Sequence, residues 1–269
     1  RLTQLQYNLV RSHACGVGQP VPASVVRRIL LLKANSLAVG CSGIRPEVVD
    51  TLLALLNHDV LPLIPAKGSV GASGDLAPLA HMSLALIGEG EAHHQGKLLQ
   101  GEAVLKAAGV KPVELQAKEG LALLNGTQVS AALAIEGFFG TRTALLSSIV
   151  LGALTVEAMA GSYSPFDARI HGVRNMYGQI QTAELFRALL TGSDIWREHQ
   201  GCDRVQDPYA LRCMPQVYGA VWDTLQHVSG VLERELNSVS DNPLIFGDDV
   251  LSGGNFHAEA LAFVSDFLS

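Results

Sequence analysis

Aromatic residues make up only 6% and charged residues 16% of the 269-residue chain, against 48% apolar residues. So little charge on so aliphatic a chain points to helices buried on several sides, as in a large bundle or an oligomer. The length is enough for a sizeable core in one or two domains. A net charge of −6 without a basic cluster excludes a nucleic-acid partner. Cys15, Cys41, Cys202 and Cys213 show neither C-x-x-C nor Cys/His ligand spacing, so they read as free thiols of a reducing cytoplasm rather than disulfides or zinc ligands. No metal is expected, and His93-His94 reads as a solvated turn before Gln95-Gly96-Lys97. No signal-peptide pattern is present. The apolar run between Arg142 and Glu157 is too short, and too rich in Ser, Thr and Gly, to cross a bilayer, so no membrane partner is expected.

Helical periodicity predicts a mainly α fold with helices over 2–14, 23–39, 46–58, 75–87, 101–108, 126–160, 181–190, 215–238 and 255–268. Pro20 and Pro22 separate the first two helices, and Gly40 and Gly43 the next two. A hairpin over 91–99 is the one strand-like region expected, and residues 111–116 read as extended or loop. The first helix lacks an N-terminal cap and the last lacks a capping glycine, which suggests the middle of a longer protein. Short helices with many turns give way to long ones near 110–125. The expected architecture is therefore a mixed but mostly helical head over 1–118 and part of a long-helix bundle over 119–269.

The most informative segment runs from Gly68 to Leu79 and contains Ala72-Ser73-Gly74 within a glycine-rich bend. A sharp enough bend brings the Gly74 nitrogen to the Ala72 carbonyl carbon, and closing that five-membered ring releases water. Gly71 and Gly74 permit the strained dihedrals required. Loss of the Ser73 hydroxyl as a second water leaves an exocyclic methylene whose outer carbon is electron-poor. Ala72 is small, Ser73 carries the leaving group and Gly74 is an unhindered nucleophile. Asp75 stands where an N-cap is expected, ahead of an apolar run with Pro78 in its first turn. Taken alone, the same residues also describe a glycine-rich loop that merely caps a helix. A serine hydrolase is disfavoured because G-x-S-x-G is not matched, and a phosphate loop because no Lys-Ser or Lys-Thr follows. A non-catalytic assembly piece remains the third alternative.

This segment resembles the signature of the aromatic amino acid ammonia-lyase family. Further patches in the same order are similar to its histidine-type members: Ser12-His13, Leu123 to Gln128 with Asn125-Gly126-Thr127, Val205 to Arg212, Ser240-Asp241-Asn242-Pro243, Gly253 to Glu259, and Arg169-Ile170-His171-Gly172. The resemblance implies a 4-methylidene-imidazole-5-one group formed from Ala72, Ser73 and Gly74, and elimination of ammonia from an amino acid, L-histidine giving trans-urocanate. Tyrosine or phenylalanine ammonia-lyases and aminomutases with the same group share most of these motifs. His13 is expected to meet the substrate ring, Asn125 to lie beside the electrophile and the amine, and Arg212 to grip the carboxylate through its planar fork. Gln206 would steady the substrate, Tyr209 would donate a hydrogen bond or relay a proton, and Phe256 would pack near the ring. Spacing by three predicts Gln206, Tyr209 and Arg212 on one helical face. The motif at 169–172 is assigned structural work. The bland readings are a satisfied lone His13, Asn125 capping the long helix, a merely polar face at 206–212, Asn255 capping the last helix and His257 in its first turn. The family's mobile tyrosine loop lies upstream of this sequence and an acidic site residue downstream, so little activity is expected of the 269 residues alone. A homotetramer is expected of the parent.

Overall fold

A computed structural model describes residues 2–199 and 201–269 and is mainly helical. The chain forms two compact units, residues 1–136 with 231–265 and residues 137–230 with 266–269. The first unit opens with α1 (Leu2–His13), β1 (Val17–Pro20), α2 (Ala23–Ala38) and α3 (Pro46–Asn57). It continues with β2 (Leu61–Pro62), β3 (Pro65–Lys67), α4 (Leu76–Leu86), β4 (Glu91–His94), β5 (Lys97–Gln100), α5 (Glu102–Ala107), α6 (Glu119–Leu124) and the start of α7 (Gln128–Ala158). The second holds the rest of α7, α8 (Ala168–Arg174), α9 (Tyr177–Leu190), α10 (Asp194–Glu198), α11 (Tyr209–Arg212) and most of α12 (Met214–Leu236). The chain then returns to the first unit through β6 (Leu244–Phe246), β7 (Asp249–Leu251) and α13 (Glu259–Asp266), whose last residue the second unit claims.

At the centre of the first unit, α4 contains no acidic or Lys/Arg side chain, and most of its residues are buried. An apolar helix of this kind has no solvent face to present. Pro78 is tolerated because first-turn N–H groups have no intrahelical acceptor in any case. Burying Leu79, Met82 and Leu86 contributes roughly 1.5–3 kcal/mol each. In the second unit Phe166 stacks on Phe186 with ring centroids 4.7 Å apart. There α9 and α12 cross at Gly178 and Gly219, where a Cβ on either residue would overlap the other helix's backbone.

The hairpin at β4–β5 does not stand alone: β2 pairs with β4, β1 with β3 and β6 with β7, all antiparallel. The added strands are two to four residues long and include Pro20, Pro62 and Pro65, too short and too proline-bearing for alternation to register. The helix expected from 181 begins at Tyr177, and the one expected from 255 begins only at Glu259. Short helices α6, α8 and α10 escape a periodicity reading because they are too brief to show one. The apolar character around α7 also extends beyond the 142–157 run. The stretch 119–158 has the length and composition of a membrane span, with only 28% of its most apolar window buried. Phe139, Val150, Leu151 and Leu154 lie exposed along it.

Glu119, at the start of α6, is buried and saturated with donors. Its Oε1 accepts from the Arg45 backbone N–H (3.1 Å) and Nε (2.8 Å), and its Oε2 from Arg45 Nη2 (2.9 Å) and the Gln116 N–H (2.8 Å). Burial would raise its pKa, but the Arg45 guanidinium and the two backbone donors outweigh burial and hold it below the ordinary value of 4.5. A depressed folded pKa stabilises the fold above the unfolded value, and that stabilisation is lost as pH falls through the folded one. Glu119→Gln is therefore expected to lower stability by about 2 kcal/mol at pH 7. Urea denaturation should show the gap between variant and wild type narrowing as pH drops below 4.5; a pH-independent gap would contradict the assignment.

Candidate active site

The glycine-rich loop joins β3 to α4 and is fixed by Asp75, which is fully buried. Its Oδ1 accepts from Ser69 Oγ (2.6 Å) and Ser130 Oγ (2.7 Å), and its Oδ2 from the Val129 and Ser130 N–H groups, both 2.8 Å. Asp75 thus occupies the N-cap position of α4 without capping it. The carboxylate instead caps the first turn of α7, where two orphan N–H groups and the positive end of a 31-residue helix favour an anion. Sequence proximity suggested the nearer helix, and the remote one supplies the donors.

The Asp75 N–H donates to the Gly126 carbonyl (2.7 Å). This draws the Asn125–Gly126 turn onto Gly74, which has φ +83°. A Cβ on Gly74 would stand 2.9 Å from Asn125 Oδ1 and 2.9 Å from the Gly126 nitrogen, so only glycine fits. Ala72 and Ser73 lie exposed at the crest of the loop, while Gly74 is buried. A depression of about 460 Å³ opens beside the loop, lined in part by Lys67, Ser69, Gly71 and Ser130.

Asn125 does not cap α7. Its Nδ2 donates to the Asn242 carbonyl (3.0 Å), and a carbonyl partner fixes the amide orientation so that Oδ1 faces Gly74. Asn242 Oδ1 in turn accepts from the Gly253 N–H (2.6 Å), and the Ala258 N–H donates to the Gly71 carbonyl (3.0 Å). The segment carrying Phe256, partly buried two residues before Ala258, is therefore tied to the same loop. Asn255 sends its Nδ2 to the Val239 carbonyl (3.2 Å) instead of capping α13, and His257 precedes that helix.

His13 ends α1, with Nδ1 2.8 Å from the Leu9 carbonyl. Since a carbonyl only accepts, Nδ1 carries the proton and Nε2 is left as an acceptor. Three residues on, the Gly16 N–H donates to His81 Nε2 (3.1 Å), and burial lowers the pKa of His81. A Cβ on Gly68 would meet Gly16 Cα at 3.2 Å, so the turn after His13 lies against the start of the loop.

The first unit thus brings together the loop, Asn125, the turn after His13 and the 253–258 segment. Gln206, Tyr209 and Arg212 belong to the second unit. They do not share one helical face as the spacing predicted, because α11 begins only at Tyr209 and Gln206 precedes Pro208. A proline disfavours helical geometry in the residue before it, here Asp207. Arg212 Nε donates to the Asp207 carbonyl (3.0 Å), and Tyr209 is 73% exposed. His171 is buried with Nε2 at the Pro165 carbonyl and Nδ1 at Gln179 Nε2, each 2.9 Å, a satisfied structural histidine. Among the described residues no group of three or more His, Cys, Asp or Glu is arranged to hold a metal ion.

One residue of this assembly escaped the motifs. Lys33 of α2 is fully buried and donates through Nζ to the Asn125 carbonyl at 2.5 Å. Burial, with a smaller contribution from Lys118, lowers its pKa to about 8 against the opposing pull of Asp241 and Asp75. Its signal was a lone lysine in the apolar register of Val26, Ile29, Leu30 and Leu37.

The mainly helical first unit thus presses Gly74 of an Ala-Ser-Gly loop against an Asn-Gly turn. A family model described as "Aromatic amino acid lyase" matches residues 1–269, and the chain belongs to that family. A curated relative from Idiomarina loihiensis, named histidine ammonia-lyase, is 57% identical over all of this chain and 53% of its own length. The chain spans about half the length of the curated relatives it matches. A crystal structure of histidine ammonia-lyase from Trypanosoma cruzi is similar with a TM-score of 0.89 and 41% identity, covering 99% of this chain and 50% of that one. Tyrosine aminomutase from Streptomyces globisporus is similar with a TM-score of 0.91 and 40% identity, covering 99% and 54%.

Replacing Asp75 by Asn keeps the shape but removes the charge and turns an amide NH₂ toward existing donors. The expected cost is about 2 kcal/mol or more, read as a lower denaturation midpoint. An unchanged midpoint would show that the helix cap is dispensable.

Proposed function

We propose that the protein containing this chain removes ammonia non-oxidatively from L-histidine to give trans-urocanate, as part of histidine degradation. The observation that carries this reading is Gly74 wedged at positive φ against Asn125 and Gly126. Relatives of 57% identity named histidine ammonia-lyase support it. The reaction is difficult because the β-hydrogen is barely acidic and ammonia leaves poorly. The prosthetic group assigned is 4-methylidene-imidazole-5-one from Ala72, Ser73 and Gly74, which when formed supplies an electron-poor methylidene carbon. No metal is assigned.

The side chains carried by the resembling motifs bind and orient. Arg212 takes the substrate carboxylate in a bidentate pair. His13, with Nε2 as acceptor, receives the N–H of a polar ring and so favours imidazole or phenol over phenyl. Asn125 Oδ1 accepts from the substrate ammonium, and Gln206 and Tyr209 steady the amine and carry a proton. Phe256 covers one side of the group. Holding the amino acid in one geometry converts diffusive encounters into an oriented reaction.

The proposal extends to the whole protein's setting. The exposed apolar side chains along α7 support burial against further copies, in a homotetramer. Four unbridged cysteines fit a reducing cytoplasm. We take 1–118 as the head and 119–269 as part of the helical-bundle domain.

A tyrosine or phenylalanine ammonia-lyase or aminomutase is the second reading, favoured by the close fold of the Streptomyces globisporus enzyme. Supplying the full-length protein with L-histidine, L-tyrosine and L-phenylalanine separates the two. Urocanate from histidine is expected, and Ser73→Ala should reduce its rate by at least about a thousandfold, a fraction of the acceleration enzymes reach. Preferred turnover of tyrosine or phenylalanine would select the second reading, and an active Ser73→Ala variant would remove both.

A further inference from the structure

The Asn125–Gly126 turn is gripped from three directions: Asn242 holds its side chain, Asp75 its Gly126 carbonyl, and Lys33 its Asn125 carbonyl. Lys33 is the one cation among these three contacts, and no part of the proposed chemistry uses it. Its Nζ reaches the Asn125 oxygen from α2, a helix whose other buried residues are aliphatic apart from Ser36. An ammonium is expensive to bury in such surroundings unless charge-assisted bonds and opposite charges compensate it. Both are present: a 2.5 Å bond to a carbonyl, and two buried carboxylates, Asp241 and Asp75, acting on it. Lys118, the second cation of this cluster, is already paired with Asp241 at 2.7 Å and also donates to the Ser42 carbonyl at 2.7 Å. Asp241 therefore acts on both cations, and Asp75 adds a weaker pull on Lys33.

We propose that Lys33 is a positioning residue for ring closure: by clamping the Asn125 carbonyl it holds the Asn125–Gly126 turn against Gly74 and so presents the Gly74 nitrogen to Ala72. This inference rests on the functional reading above. In the closure, a bond forms between the Gly74 nitrogen and the Ala72 carbonyl carbon. The Ala72 oxygen leaves as water with the amide hydrogens of Gly74 and Ser73, and a C=N bond remains between Ala72 and Ser73. The Ser73 hydroxyl then leaves with the Ser73 α-hydrogen as the second water. Lys33 donates nothing covalently; its contribution is the distance between the reacting atoms.

The test is the fraction of Ala72–Gly74 peptide lacking two waters, measured by mass spectrometry on soluble full-length protein, alongside the near-ultraviolet absorbance of the conjugated ring. Lys33→Met, of similar length but without a donor, should lower that fraction, or the rate of its accumulation, by about tenfold or more, the size of a lost charged hydrogen bond. Lys33→Arg, which keeps donor and charge, should recover most of it. Maturation of Lys33→Met at the wild-type level overturns the proposal, as does a Lys33→Arg variant that melts like wild type yet matures no better than Lys33→Met. If Lys33→Met does not accumulate as folded protein, Lys33→Gln is read in its place, and wild-type maturation there is equally fatal. An unmodified peptide in the wild-type protein would instead overturn the functional reading itself.

Discussion

The loop, the turn facing it and the long helix behind it all depend on one buried carboxylate. Asp75 has no access to water, and an uncompensated charge there would be prohibitive. Four donors and a helix N-terminus make the burial tolerable, and those donors come from Ser69 on one side and the first turn of α7 on the other. Satisfying Asp75 therefore ties the beginning of the glycine-rich loop, its end and α7 to a single point. The residues between, Val70 to Gly74, are left bowed outward with their last member pressed on Asn125. The geometry of the candidate site follows from polar satisfaction more than from apolar packing.

That pattern recurs across the chain's sparse charges. Lys33, Asp75, Glu119, Asp207 and Asp241 are all buried. Four of the five belong to the first unit, close in sequence or contact to the Asn125 turn, and Asp207 accepts the Ser162 N–H at 2.6 Å in the second. These few ionic groups lie inside, where the low dielectric makes each partner matter. The opposite holds at the surface of α7, where apolar side chains such as Phe139, Val150, Leu151 and Leu154 remain exposed.

Long amphipathic or apolar helices were legible because many residues report one period: α2, α3, α4, α7 and α12 start and stop within a few residues of expectation. The motif residues Gly71, Gly74 and Asn125 were legible through their type, since a positive φ or a two-sided amide narrows the choice of residue. Three things were not. The strands β1 and β3 arise from a pairing far apart in sequence, which no local window contains, whereas β6 and β7 form a local hairpin of three-residue strands, too short for alternation to register. Asp75 looked like a cap for the adjacent helix because sequence shows only the neighbour, while its donors come from residues 54 and 55 positions on. Lys33 carried a faint signal, a charge in an aliphatic register, that gains meaning only once the Asn125 carbonyl is found at its end. Pro208 was visible, yet a spacing of three still suggested a shared face for Gln206, Tyr209 and Arg212 that the proline prevents.

The central claim is that this geometry makes the backbone at Ala72–Gly74 condense with itself. The most direct measurement is the mass of the peptide spanning those residues, isolated from the full-length protein purified without denaturation. The account requires a peptide two water molecules lighter than its sequence, with the loss confined to Ala72-Ser73-Gly74. A peptide of full sequence mass, bearing an intact Ser73 hydroxyl in folded and assembled protein, would contradict it.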